Sequence, residues 1–436
     1  MPRSLSRRSF LGRAAGASVA LGATRALAAD TVAAKPAPLT KPVSEWPLWD
    51  NRDETALLDV LRSGKWGRTS GGARVREFEA AWAQRMKAKY CVATSSGTTA
   101  LLTAMGALNI GPGDEVIMPP YTFVATFNAI TASFALPVFA DTDAATFQID
   151  PAKMAEAITP ATKLLLPVHI AGSPADLDSI GALAKARGIT LLEDACQAPL
   201  AEWRGQPVGT VGLGGCFSFQ ASKNLTSGEG GAILTNDETF ANFCYDFHTP
   251  GGAKKSVSRG RGANYRLTEF QAALLSAQMT RLEEQAKTRD ANAAHLSGLL
   301  RQIPGIAPAA LPAGSTRSAW HLYMFRYDAT KFAGLSRAKF LQALAKEGVA
   351  ASSGYTALNT TAHVRALADN PHYQRIYGKE TMARYVERNQ CPVNDRLVEE
   401  AVWLSQTKLL MSRDEMARIA GAVASVQKRA GDLART

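Results

Sequence analysis

Between residues 89 and 236 short apolar runs alternate with helical patterns, and this alternation limits the possible folds more than any other feature. The runs lie at 89–93, 115–119, 137–141, 163–168, 189–194, 214–219 and 231–236. Helical patterns separate them at 98–108, 122–134, 152–158 and 176–187. Several runs are rich in Val, Ile and Leu on both faces, as strands covered by helices on two sides must be. The β-α-β alternation predicts a mostly parallel, doubly wound sheet of seven strands. The runs at 214–219 and 231–236 stand too close for a crossover helix, so one strand there is expected to be antiparallel. A long helical stretch follows from Thr268 to about Asn292. A strand at Leu322–Tyr327 and helices at 337–346 and 412–427 then predict a smaller C-terminal α/β domain. The chain of 436 residues is too long for one ordinary core. The expected division is 30–285 for a large domain, opened by a Pro/Ala-rich arm at 30–48, and 286–436 for a small one.

Residues 1–29 read as an address. Ser6-Arg7-Arg8-Ser9-Phe10-Leu11 is a twin-arginine pattern, Ala14–Thr24 is small and apolar, and Ala26-Leu27-Ala28 offers an A-x-A cleavage site. An amphipathic N-terminal helix and a retained signal anchor are the alternatives. Export makes the expected location periplasmic, with the cytoplasm as the alternative. Losing residues 1–28 removes five arginines and lowers the net charge from +11 to +6, which takes most of the support from nucleic-acid binding. No apolar run is long enough for a membrane span. The five cysteines, at 91, 196, 216, 244 and 391, show no C-x-x-C spacing, and the six histidines show no H-x-x-x-H. Neither a metal site nor a disulfide scaffold is indicated.

In open α/β sheets ligands bind beyond the carboxyl ends of the strands. After the first run comes Ser95-Ser96-Gly97-Thr98-Thr99 opening a helix, whose free amides suit a phosphate. After the second comes Pro120-Tyr121-Thr122-Phe123, an aromatic face; after the fifth, Glu193-Asp194 with Gln197 nearby; after the sixth, Ser218 through Asn224 with Lys223 among them. Phosphate cradle, aromatic plane, carboxylate and lysine are the set a pyridoxal 5'-phosphate site needs: the amine forms a Schiff base and the carboxylate keeps the pyridine nitrogen protonated. No G-x-x-x-x-G-K-[ST] occurs, and no G-x-G-x-x-G follows the first run, which weakens a nucleotide-dependent oxidoreductase.

The segments EDACQA (193–198), CFSFQASKNLTSGEGGAILTND (216–237) and GANYRLTEFQAAL (262–274) resemble the aminotransferases of keto-sugars and keto-cyclitols, the DegT/DnrJ/EryC1/StrS family. PYTFVATFNAI (120–130), PVFADTDAATFQID (137–150) and LLPVHIAGSPADLDSI (165–180) match as well, so the resemblance runs from about residue 45 to the C-terminus. It implies the fold type I of pyridoxal-phosphate-dependent transferases, like that of aspartate aminotransferase. It implies Lys223 as the Schiff-base lysine and Asp194 as the partner of the pyridine nitrogen. Gln197 is placed near the cofactor's phenolic oxygen, Phe123 on its ring, and Gly97, Thr98 and Ser218 at its phosphate. Asn264 or Arg266 is implied to reach the phosphate of a partner subunit, which makes a homodimer with shared sites the expected assembly. His169 and His321 are candidate substrate contacts. The implied reaction is ping-pong transfer from glutamate or glutamine to a keto acceptor, with Lys223 as acid and base. Histidine at the lysine position marks family members that eliminate water; Lys223 removes that reading.

SSGYTALN (352–359) and CPVNDRLVEEAVWL (391–404) look more like the branch acting on scyllo-inosose-type cyclitols. An export signal points the same way, because nucleotide sugars are cytosolic. The loop Lys254–Arg261 carries Lys254, Lys255, Arg259 and Arg261, which suits either a diphosphate or solvent. A nucleotide-sugar aminotransferase and a non-catalytic sensor on the same fold are the alternatives.

Overall fold

The computed structural model describes residues 46–249 and 260–435. The expected signal at 1–29, most of the 30–48 arm and Lys254, Lys255 and Arg259 of the basic loop lie outside the described residues. The first two helices, α1 (Asn51–Ser63) and α2 (Arg74–Arg85), precede the sheet. Then follow β1 (Tyr90–Thr94), α3 (Gly97–Ala107), β2 (Glu115–Met118), α4 (Ala125–Ala132), β3 (Leu136–Phe139), α5 (Pro151–Ala157), β4 (Thr162–Leu165), α6 (Leu177–Arg187) and β5 (Thr190–Asp194). The short strands β6 (Glu202–Trp203) and β7 (Gln206–Pro207) lead to β8 (Gly214–Ser218) and β9 (Gly231–Thr235).

The seven-stranded sheet has the order β1-β9-β8-β5-β4-β2-β3. Strands β8, β5, β4, β2 and β3 run parallel, and β9 is antiparallel to both β1 and β8. This is the antiparallel strand that the short 214–236 connection predicts. Successive residues alternate between two helix-covered faces. Val92, Cys216 and Ile233 face one core with Leu101, Met105 and Phe127. Ala93, Phe217 and Leu234 face the other with Phe78, Trp82 and Leu275.

Helix α7 (Glu238–His248) leads towards α8 (Glu269–Leu300). The latter is opened by a reciprocal cap between Thr268 and Gln271. Its first half packs Leu275 and Leu282 on the large sheet, and its second half packs Leu296 and Leu300 on a second core. The sequence pattern stops at Asn292, but the helix continues to Leu300. Asn292 does not cap its own helix: its side-chain amide donates to the carbonyls of Leu409 (2.9 Å) and Met411 (2.8 Å). The second core lies under the antiparallel sheet β10 (Ile306–Pro308), β12 (Leu322–Tyr327) and β13 (Ala401–Ser405). Strand β11 (Ser315–Arg317) pairs with β6 in a separate small sheet. Between β12 and β13 the chain returns to the large sheet, where Tyr373, Tyr385 and Cys391 join the core containing Leu101 and Phe127.

Candidate active site

A cavity of about 710 Å³ opens at the carboxyl ends of β1, β5 and β8, roofed by β12 and β13. Of the residues singled out in the sequence, Gly97, Thr98, Phe123, Asp194, Gln197, Ser218, Lys223 and His321 line it.

Ser96 caps α3: its hydroxyl accepts from Thr99 N (3.1 Å), and Thr99 Oγ1 accepts from Ser96 N (2.8 Å). The helix thus starts in the cavity wall with Gly97 and Thr98 in its first turn, where free amides and the helix dipole favour an anion. A Cβ at Gly97 would stand 2.6 Å from Ser218 Cβ and 2.9 Å from Cys196 Sγ, so the turn closes on the end of β8 only because it carries no side chain.

Asp194 ends β5 with 3% of its surface exposed. Its Oδ2 accepts from Thr126 Oγ1 (2.9 Å) and its Oδ1 from Cys196 N (3.2 Å). Thr126 belongs to α4, which starts at Ala125 rather than at the expected 122. Thr122 and Phe123 remain in the preceding loop, and Phe123 stays 56% exposed on the cavity rim.

Lys223 follows β8, and its Nζ lies 3.5 Å from His321 Nε2. The ring's state follows from its other side. Asn224 Nδ2 donates to Ala319 O (2.6 Å), which leaves Asn224 Oδ1 facing His321 Nδ1 at 3.3 Å. Nδ1 therefore carries the proton, and Nε2 turns its lone pair to Lys223. Burial, with the positive charges of Lys223 and Arg289, holds His321 well below the usual imidazole range and keeps it neutral. Burial likewise lowers Lys223, against the opposing pull of Cys196 and Asp194.

Gln197 is held at both ends: Oε1 accepts from Ala171 N (2.8 Å) and Nε2 donates to Tyr355 OH (2.9 Å). Burial raises Tyr355 to about 12, so its hydroxyl keeps its proton at neutral pH.

His169 does not reach the cavity, which corrects its reading as a substrate contact. It is fully buried, with Nε2 2.9 Å from Glu193 Oε2 and Nδ1 accepting from Ala175 N (3.0 Å). Its backbone N donates to Asp194 O (3.0 Å), so it steadies the strand end that presents Asp194. Asn264 and Arg266 are also absent from this cavity's wall. Arg266 pairs by its backbone with Thr94, and Tyr265 O accepts from Ser95 N (2.8 Å), so their segment backs the phosphate turn from outside.

Sequence reasoning assigned no role to Thr126, Tyr355, Trp403 or Gln406, all of which line the cavity. Thr126 stands in the first turn of the helix behind the aromatic loop, and a threonine there carries no signal by itself. Tyr355 and Trp403 meet in an edge contact at 4.4 Å and arrive from far along the chain, Tyr355 from a loop and Trp403 from β13.

The donor set fits pyridoxal phosphate. The helix start lies beside the Thr98 and Ser218 hydroxyls for a phosphate, a buried carboxylate stands ready for the pyridine nitrogen, and a desolvated amine faces both. Among the described residues no side-chain cation forms an ion pair with Asp194, so a pyridinium N–H is the counter-charge its burial calls for.

Comparison with known proteins agrees with this geometry. The sequence profile of the DegT/DnrJ/EryC1/StrS aminotransferase family matches residues 47–424. The 3-amino-5-hydroxybenzoate synthase of Amycolatopsis mediterranei is 33% identical over 88% of this chain and 97% of its own. The L-glutamine:2-deoxy-scyllo-inosose aminotransferase of Streptoalloteichus tenebrarius is 36% identical over 89% of this chain and 96% of its own. A crystal structure of a 3-amino-5-hydroxybenzoic acid synthase superposes with a TM-score of 0.77 at 32% identity, covering 88% of this chain and 98% of that one. The fold is that of type I pyridoxal-phosphate enzymes. With the cradle, carboxylate and lysine in one cavity, the chain belongs to the DegT/DnrJ/EryC1/StrS family and is a pyridoxal-phosphate-dependent aminotransferase.

Proposed function

We propose that the enzyme moves an amino group from L-glutamine or L-glutamate to a free keto-cyclitol of the scyllo-inosose type, in two half-reactions at one site. The observation that carries the acceptor class is the chemistry of the cavity wall. Beside Lys223 it offers hydroxyls and amides from Gln220, Ser222, Ser405, Gln406 and Thr407, with aromatic faces from Phe123, Tyr355 and Trp403. Apart from the Glu229 carboxylate on the same wall, these donors and acceptors are neutral, and on an aromatic floor they suit a polyhydroxylated ring without charge. Of the basic loop, Arg261 is committed to Ile110 O (3.0 Å). The glutamine-dependent relative in Streptoalloteichus tenebrarius supports the same class.

Bound pyridoxal phosphate supplies an electron sink for the electrons of the cleaved C–H bond. The protein's residues supply the rest. Gly97, Thr98 and Ser218 would hold the phosphate, Asp194 would keep a proton on the pyridine nitrogen, and Phe123, on the cavity rim, would face the ring. Lys223 Nζ would take the proton from the donor's α-carbon and give it up again within the same half-reaction, and would run the reverse transfer to the acceptor's carbonyl carbon in the second. Its lowered pKa raises the fraction of neutral amine available for this. His321 Nε2 orients that amine by accepting one of its hydrogens. Asn264 or Arg266 completes the phosphate site of a second copy, so the active unit is a homodimer. The twin-arginine segment carries the folded, cofactor-loaded enzyme to the periplasm.

A screen of purified holoenzyme tests this, with glutamine or glutamate against scyllo-inosose and against a nucleotide-linked keto-hexose. Expected are parallel double-reciprocal lines and amination of the free cyclitol. Preference for the nucleotide-linked sugar would overturn the acceptor class. Changing Arg7 and Arg8 to Lys should leave the full-length precursor in the cytosol; its continued appearance outside the inner membrane would overturn the route.

A further inference from the structure

Arg289, on the α8 face beneath the cavity, is fully buried, yet it forms no ion pair among the described residues. Its Nε and Nη2 both donate to Gln406 Oε1, at 3.0 and 2.6 Å. Its guanidinium carbon lies 5.6 Å from the centre of the Trp46 ring. Its Nη1 has no hydrogen-bond partner among the described residues. The neighbouring Asp290 is turned elsewhere, to Trp320 Nε1 (2.7 Å) and Arg317 Nε (3.6 Å). Gln406 is itself 2% exposed and lines the cavity, and its amide nitrogen also has no partner among the described residues. Two unpartnered buried donors thus sit on one touching pair. Burial lowers Arg289 to about 9, so it is still cationic at neutral pH. A dry cation without a counter-ion is costly, and a guanidinium with a vacant N–H is matched by the two oxygens of a carboxylate.

The place is right for the amino donor. In an α-amino acid the carboxylate carbon lies about 2.5 Å from the amine nitrogen. A donor whose amine reaches the position of Lys223 Nζ must therefore have its carboxylate bound close by. Next to Lys223 stands His321, and the carbonyl of His321 accepts from Gln406 N (3.1 Å). Arg289 is near enough to add to the depression of the His321 pKa.

We propose that Arg289 and Gln406 form the site for the donor's α-carboxylate: Gln406 Oε1 leaves the guanidinium, the carboxylate takes its place, and the Gln406 amide turns its N–H to the same oxygen pair. When the neutral acceptor enters, Gln406 returns to Arg289, so one cavity receives an anionic and an uncharged substrate in turn. The proposal rests on the reading of an α-amino acid as donor.

Gln406→Glu would hold a carboxylate on Arg289 permanently, and Arg289→Met would remove the cation while keeping an apolar stem. The probe is glutaramate, glutamine without its amine, titrated into the holoenzyme by calorimetry. Wild type should bind it, and both variants should bind about 10- to 100-fold more weakly, with a parallel rise in donor KM relative to acceptor KM. Gln406→Glu should melt no lower than wild type, which separates a blocked site from a damaged fold. If wild type reacts with glutamine or glutamate while Gln406→Glu keeps wild-type affinity for glutaramate, this proposal alone falls. If wild type reacts with neither amino acid, the donor reading falls and takes the proposal with it.

Discussion

Asp194 is held by one hydroxyl and one amide, and both contacts have consequences for turnover. Thr126→Val removes the hydroxyl at Oδ2. We expect kcat to fall roughly fivefold, from the loss of about 1 kcal/mol, with cofactor still bound. Asp194→Asn should cost several kcal/mol of transition-state stabilisation, because the pyridine nitrogen loses its anionic partner. Near-wild-type turnover of Asp194→Asn would assign that task to another group. The pH profile reports on Lys223. Burial lowers its pKa, so the fraction of neutral amine, and with it the donor half-reaction, should rise with pH and level off before the ordinary lysine value of 10.5. A limb centred at or above that value would mean the amine is solvated. Lys223 and Asp194 were legible because each lies in a short contiguous motif at a strand end. Thr126, Tyr355, Arg289 and Gln406 were not, because only tertiary packing brings them to the site. Arg289 reads in sequence as one more charge on a long helix; its burial appears only when Gln406 and Trp46 close over it.

At the level of elements, the cradle depends on how closely the start of α3 approaches the end of β8. Gly97→Ala places a methyl 2.6 Å from Ser218 Cβ. The variant should lose about 1–3 kcal/mol of stability and bind cofactor more weakly, measured by thermal melting and by absorbance titration. Unchanged cofactor affinity would show that the turn does not hold the phosphate. The end of α7 carries a second dependence. His248 is fully buried, its Nδ1 2.7 Å from Tyr245 O, and its carbonyl accepts from Tyr265 N (3.1 Å) in the segment behind the phosphate turn. Burial, with the positive charge of Arg68, lowers it to about 4. Between that value and 6.5 the unfolded chain binds more protons than the folded one, so stability falls as pH drops through this window. The full effect is up to about 3 kcal/mol. Urea midpoints from pH 7 to 4 should fall more steeply for wild type than for His248→Gln; equal slopes would assign the acid sensitivity to other groups. Strand positions were legible from apolar runs because both faces of the sheet are buried. The end of α8 was not, because Asn292 is a stop signal whose amide is used on a neighbouring segment.

For the whole molecule, the absence of Asn264 and Arg266 from their own cavity wall gives the proposed shared site a direct test. Mixing Lys223→Ala with Arg266→Ala should restore part of the activity through hybrid dimers that contain one intact site. No recovery despite demonstrated subunit exchange would count against sharing. The order β1-β9-β8 has a separate consequence for how the chain is made. Tyr90 is paired with Thr235, so β1 has no hydrogen-bonded neighbour in the sheet until the ribosome has passed β9. At ordinary elongation rates that interval is on the order of 10 s. The phosphate turn hangs from the end of β1, and the lysine lies between β8 and β9, so the nascent chain assembles its vitamin-binding surface in one late event. Cofactor supply should therefore affect the yield of finished enzyme at the close of synthesis and leave the early folding of the β2–β3–β4 half untouched.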